Sequence, residues 1–189
     1  MKGIIFTEFM ELVEREFGLP VLDQIILQAQ PESGCVYTST GAYPHTELVD
    51  LVTALAEKTG VPVNDLLLHF GQALFSALVV RMPWATDTKA DCFDFLSSVD
   101  SQIHMEVEKL YPDAELPQLD FEAIDDRCAV MRYESSRPFA KVAEGLLRGC
   151  SAYYGDAFSV KLRDPSGETG EAMVFELRRI DADPAGSTA

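Results

Sequence analysis

Three histidines, a Tyr-x-Ser-x-Arg triplet and four cysteines carry most of the distinctive side-chain chemistry of this chain. His104, in Gln102-Ile103-His104-Met105-Glu106, lies within a helical pattern. Steps of three and four residues place it on one face with Phe93, Leu96, Val107 and Tyr111. An imidazole against such a wall is either a hydrogen-bonded core residue or a ligand. One protein nitrogen falls short of the three or four ligands that zinc takes, yet it meets the proximal requirement of a haem iron. His45 follows Pro44 in the first turn of a helix and reads as solvated. His69, in Leu66-Leu67-Leu68-His69-Phe70-Gly71, reads as a packed core histidine.

The triplet is Tyr133, Ser135 and Arg137. Alternate side chains of an extended chain share a face, and Pro138 pushes Arg137 toward extended backbone. A phenol, a hydroxyl and a guanidinium then converge, with donors enough for one or two carboxylates. The competing reading is a sheet-end tyrosine with two solvated neighbours. Charge distribution favours the first. Residues 100–126 hold nine acids and one base, whereas residues 127–148 hold five bases and two acids. The positive stretch of an acidic chain therefore carries the triplet.

The four cysteines, Cys35, Cys92, Cys128 and Cys150, show no C-x-x-C spacing and read as reduced, mostly buried thiols of a cytoplasmic protein, ahead of a disulfide or zinc framework.

Helices must position most of these groups. Ile5, Phe9, Leu12, Val13 and Phe17 recur at helical steps until Gly18 and Pro20. A short second helix runs through Val21, Ile25, Ile26 and Ala29. A third starts at Pro44 and stops at Gly60, with Leu48, Leu51, Val52 and Leu55 inward. A fourth runs from Asn64, as N-cap, through Leu67, Phe70, Leu74 and Leu78 to Pro83. A fifth, from about Ala90, carries Phe93, Leu96, Val99, Ile103, Val107 and Leu110 on its inner stripe. After Pro117 the segments 127–133, 156–163 and 171–178 have strand-like content, residues 164–170 read as a hairpin loop, and 138–153 return to helical spacing. The expectation is an α+β fold, a helical N-terminal half packed against a small antiparallel sheet with one or more helices. It forms a single domain over 1–180, followed by a loose tail at 181–189.

The chain has 189 residues, of which 47% are hydrophobic, and a formal charge of −16. That is enough apolar material for one substantial core, and too much for a disordered polyanion. The negative field disfavours nucleic acid and anionic membranes as partners. The N-terminus lacks the pattern of a signal peptide, and no apolar run reads as a membrane span.

These elements together make the resemblance specific. A start of Met1-Lys2-Gly3-Ile4-Ile5-Phe6, a helix-borne His104, Pro117 thirteen residues on, and Tyr133-x-Ser135-x-Arg137 resemble the haem–nitric oxide/oxygen binding (H-NOX) family. That family is related to the sensor domain of soluble guanylate cyclase, and the resemblance spans about residues 1–180. It implies haem b held between the two halves, with His104 as proximal iron ligand. It implies that Tyr133, Ser135 and Arg137 hold the propionates and that Pro117 and Ile5 press on the porphyrin. Phe9, Leu74, Leu78, Val142 and Leu146 match positions lining the distal pocket.

Oxygen-binding relatives carry a tyrosine at the position matching Val142. Bound O₂ gains roughly 1–3 kcal/mol from a buried donor, and Val142 offers none. The resemblance therefore implies a sensor that binds NO and CO with little stable O₂ adduct, unless a donor such as Ser76 or a later tyrosine intervenes. NO is expected to weaken or release His104 and to shift the two halves. The chain is too short for a kinase, cyclase or phosphodiesterase of its own, so it is expected to be no enzyme and to regulate a separate protein, a histidine kinase or a cyclic-di-GMP enzyme. The acidic stretch around Glu106 and Glu108 is the expected docking surface. Past Arg137 only Cys150 remains of a Cys/His zinc set, so neither zinc nor thiol-based redox switching through such a set is expected. The competing function is a haem-free carrier of an acyl carboxylate gripped by Arg137, or an adaptor.

Overall fold

Apolar residues at helical spacing wind the first 81 residues into four helices: α1 (Gly3–Phe17), α2 (Leu19–Ala29), α3 (His45–Thr59) and α4 (Val63–Arg81). The computed structural model describes residues 1–163 and 172–180. The hairpin loop expected at 164–170 and the tail at 181–189 lie outside the described residues. Pro20 lies in the first turn of α2, where its missing N–H costs nothing, so it opens that helix instead of closing the one before. Likewise Pro62 precedes α4, and Asn64 lies inside the helix instead of capping it.

The fifth expected helix divides into three. α5 (Cys92–Ser98) is capped by the Asp91 carboxylate, which accepts from the Asp94 N–H at 2.9 Å. Val99–His104 then winds as a π-helix, and α6 (Met105–Leu110) completes the run. The wider π turn shifts the helical phase. Consequently Leu110, expected on the inner stripe, is 66% exposed, and α6 buries none of its residues.

Among the described residues four antiparallel strands follow: β1 (Gln118–Ala123), β2 (Cys128–Glu134), β3 (Phe158–Arg163) and β4 (Ala172–Arg179), in the order β1-β2-β4-β3. β1 has no counterpart in the sequence reading. Its Gln-Leu-Asp-Phe-Glu-Ala pattern is acid-rich and intrinsically poor for strand. It forms because Leu119 and Phe121 pack on the core while Asp120 and Glu122 pair with Arg132 across the ladder. α7 (Ala140–Tyr154) runs between β2 and β3. The fold is α+β.

Two apolar clusters fill the interior. One joins α1–α4 with Phe139 and Val142, and the other joins Phe75, α5, the sheet and the inner face of α7. α4 and α7 touch both. Their axes meet at Gly71 and Gly145, where a Cβ on Gly71 would lie 2.2 Å from the Val142 carbonyl oxygen and one on Gly145 would lie 2.2 Å from that of Leu68. Only glycine permits this approach. α4 is long and apolar enough, by length and composition, to cross a membrane, which the sequence reading did not anticipate. Here it is the core helix, burying Leu66, Leu67, Phe70, Leu74 and Phe75.

Candidate functional site

His104 closes the π turn, which directs its ring away from the phase a regular helix would give. The side chain is 17% exposed, and Nδ1 lies 3.3 Å from Asp100 Oδ1, one turn back. Burial holds its pKa below the ordinary imidazole value, while the Asp100 hydrogen bond and charge pull the other way. The neutral ring is the form that ligates metal. A carboxylate on one ring nitrogen fixes the tautomer and leaves Nε2 to coordinate, the usual outer-shell arrangement of a metal-bound histidine. His104 and Pro117 line one pocket of about 280 Å³, together with Asp100, Met105, Glu108 and Leu116.

The triplet converges by a different route from the one expected. β2 ends at Glu134, so Ser135 and Arg137 are not strand residues. The chain bends instead, and Arg137 N–H donates to Ser135 Oγ at 3.2 Å. Tyr133, 4% exposed, lies within electrostatic reach of Ser135 and Arg137. Burial outweighs both and raises its pKa, keeping the phenol protonated as a donor. Arg137 donates from Nη1 to the Glu115 carbonyl at 2.9 Å and pairs with the Glu115 carboxylate. The N-terminal amine lies within electrostatic reach of the same pair and donates to the Tyr43 carbonyl at 2.7 Å. A carboxylate thus already occupies the guanidinium, evidence that the site suits one.

The basic stretch is not a free positive field. Arg132 pairs with Asp120 and Glu122, and Lys141 and Arg148 both grip the buried Glu144. Strand pairing lays part of the acidic stretch along the basic one, a juxtaposition invisible in linear charge counts.

Phe9, Leu74 and Val142 are buried in the first cluster, with Ile5, Leu78 and Leu146 packed against it. Leu146 also touches the second cluster. The structure therefore brings the six apolar positions together, and separately unites His104 with Pro117 and Tyr133 with Ser135 and Arg137. Ser76 is exposed and lines a groove between α1 and α4, away from this cluster's interior. Tyr37 and Tyr43 border the cluster, but Tyr37 donates to Glu47 at 2.8 Å, and the Tyr43 hydroxyl accepts from Thr38 N–H at 2.9 Å. Tyr154, on α7, packs with Phe95 and Tyr153 in the other cluster.

His69 is no core histidine. Its side chain is half exposed and its Nε2 lies 2.7 Å from Glu16 on α1. Four apolar neighbours in sequence mask the fact that one position in each turn of α4 faces water. His45 is half-buried edge-on to Phe139, rather than fully solvated. Asp100 and Glu115 were missed; the four-residue spacing of Asp100 before His104 was the available signal.

One neutral nitrogen, a carboxylate-binding bend and an adjacent dry apolar cluster suit a porphyrin bearing two propionates. Among the described residues, no group of three or more His, Cys, Asp or Glu is placed to hold a metal ion by itself.

Comparison with known proteins points the same way. Residues 2–162 match the Haem-NO-binding family model. Soluble guanylate cyclase 89Da of Drosophila melanogaster is 26% identical over 142 residues, covering 72% of this chain but 20% of the cyclase. The chain thus spans about a fifth of the length of the curated cyclases it matches. Among solved structures, the Fe(II) unliganded H-NOX protein of K. algicida superposes with a TM-score of 0.90 at 37% identity, covering 96% of this chain and 98% of that one. The S. oneidensis H-NOX protein in its Fe(II)NO state gives 0.88 at 26%, covering 96% and 100%. The H-NOX of Shewanella woodyi in its Fe(II)CO state gives 0.82 at 40%, covering 100% and 97%.

Proposed function

The chain belongs to the haem-NO-binding family, and from that premise we propose that residues 1–180 form one sensor domain that binds NO and CO at ferrous haem b with little stable O₂ adduct. The haem supplies an iron to which the gas binds. His104 would ligate that iron, its ring oriented by Asp100. Tyr133, Ser135 and Arg137 hold the propionates, with Arg137 exchanging Glu115 for one of them. Pro117 and Ile5 set the shape of the porphyrin seat. Phe9, Leu74, Leu78, Val142 and Leu146 line the gas side and offer no hydrogen-bond donor. Weaker hold of His104 on the iron when gas is bound would free the His104-bearing run to move, and the two clusters would then shift about the α4–α7 contact. The domain requires no zinc and no catalytic residue.

The observation that carries this reading is the set of His104: a largely buried ring with Nδ1 held by a carboxylate, beside Pro117. The test is the absorption spectrum of the reduced, purified protein. A Soret band that moves with NO and CO but not with air supports the sensor. No haem uptake ends it and leaves the acyl-carboxylate carrier or adaptor, and a persistent oxy spectrum ends the O₂ exclusion.

On the same reading the signal passes to a cytoplasmic signalling protein, a histidine kinase or a cyclic-di-GMP enzyme, and the −16 charge disfavours nucleic acid and anionic membranes as partners. Exposed Glu106 and Glu108 beside His104 form the contact surface. Reversing both charges is expected to alter partner control, and unchanged control would remove this surface from the account.

A further inference from the structure

Cys92 and Cys150 are 58 positions apart, yet their Sγ atoms lie 2.9 Å from each other and both residues are 0% exposed. Both are free thiols. Cys92 opens α5, the start of the helical run that ends beyond His104, and Cys150 lies in the last turns of α7. Their backbones are held from outside the pair. The Cys92 N–H donates to Asp156 Oδ2 at 3.0 Å, and Arg179 bridges Asp91 and Asp156 at 2.9 and 3.2 Å while its guanidinium lies 4.3 Å from the Phe93 ring centre. The neighbouring Tyr154 hydroxyl is buried without a hydrogen-bond partner. Thiols fixed this closely need less than about an ångström of approach to reach the S–S bond length.

We propose that Cys92 and Cys150 form a buried dithiol that small hydroperoxides convert to a disulfide, clamping α5 to α7 at the root of the His104-bearing run. One sulfur attacks the terminal peroxide oxygen, forming an S–O bond as the O–O bond breaks and water or an alcohol leaves. The second thiol's sulfur then attacks the first, the S–O bond breaks, and water leaves with that thiol's proton. The pair loses two electrons and two protons, and one peroxide is reduced. Burial sets the selectivity. It raises the Cys150 pKa and so slows the step, and it excludes bulky oxidants such as glutathione disulfide, leaving local opening to bring in a peroxide little larger than water.

The experiment uses the purified full chain under carbon monoxide, which keeps any bound iron from consuming peroxide. After hydrogen peroxide treatment, the protein is denatured, alkylated with N-ethylmaleimide and examined by peptide mass spectrometry. The expected product is a Cys92–Cys150 cross-linked peptide pair, two hydrogens lighter and reversed by dithiothreitol, with none from glutathione disulfide. Amide exchange across α5 should slow in that form. In a Cys92→Ser chain, Cys150 should be recovered alkylated. Recovery of both cysteines alkylated from the treated native chain would overturn the proposal without reliance on any variant. Formation of the bond with unchanged α5 exchange would overturn the clamp.

Discussion

Phe9, Leu74, Leu78, Val142 and Leu146 sit in a cluster built from helices of regular phase, while the surroundings of His104 combine a π turn, a carboxylate on the ring and exposed acids. The first region is dry and chemically silent; the second is polar and irregular. On the proposed reading, the contrast separates the tasks of gas discrimination and response. A surface without donors would discriminate by what it withholds, whereas a histidine at a phase break, outside both core clusters, would move without unpacking them.

The largest test of that contrast puts a donor on the silent side. Val142→Tyr is expected to create a stable oxy spectrum in the reduced protein, strengthening O₂ binding by about 10–100-fold, the equivalent of one buried hydrogen bond. An unchanged spectrum in air would show that Val142 does not face the gas. Next comes the contact joining the two regions. Gly145→Ala places a Cβ 2.2 Å from the Leu68 carbonyl oxygen, so α4 and α7 must separate at a cost of about 1–3 kcal/mol, read as a lower urea midpoint. On the responsive side, Asp100→Asn removes the charge on the His104 ring. It should weaken proximal ligation by roughly tenfold, seen as more complete release of the ligand under NO.

The smallest effect is on pH. His104 has a folded pKa depressed by burial, so its neutral form stabilises the fold above the unfolded value of about 6.5. That contribution falls away as pH drops from there through the folded value. Urea unfolding of haem-free protein at pH 7 and pH 5.5 should show a loss that His104→Gln reduces.

The same contrast explains what could be read in advance. Three- and four-residue spacing identified α1 to α4 and α7, and with them the helices bearing the residues proposed to line the gas side, because regular burial writes a regular pattern. The pattern failed where local backbone geometry or a tertiary partner departed from it. Val99–His104 widened into a π turn and carried Leu110 to the surface. β1 formed from acid-rich sequence because Arg132 lay opposite. Ser135 and Arg137 converged through a bend past the end of β2 instead of along a strand. Glu115 on Arg137 and the Cys92–Cys150 contact join residues 22 and 58 positions apart, distances over which linear spacing carries no signal.

The central claim is that His104 is the iron ligand on the responsive side. Resonance Raman of the ferrous, unliganded protein reads it most directly. An iron–histidine stretch should be present in the wild-type chain, absent in His104→Gly, and restored when free imidazole is added to that variant. The same stretch persisting in His104→Gly without imidazole would contradict the account.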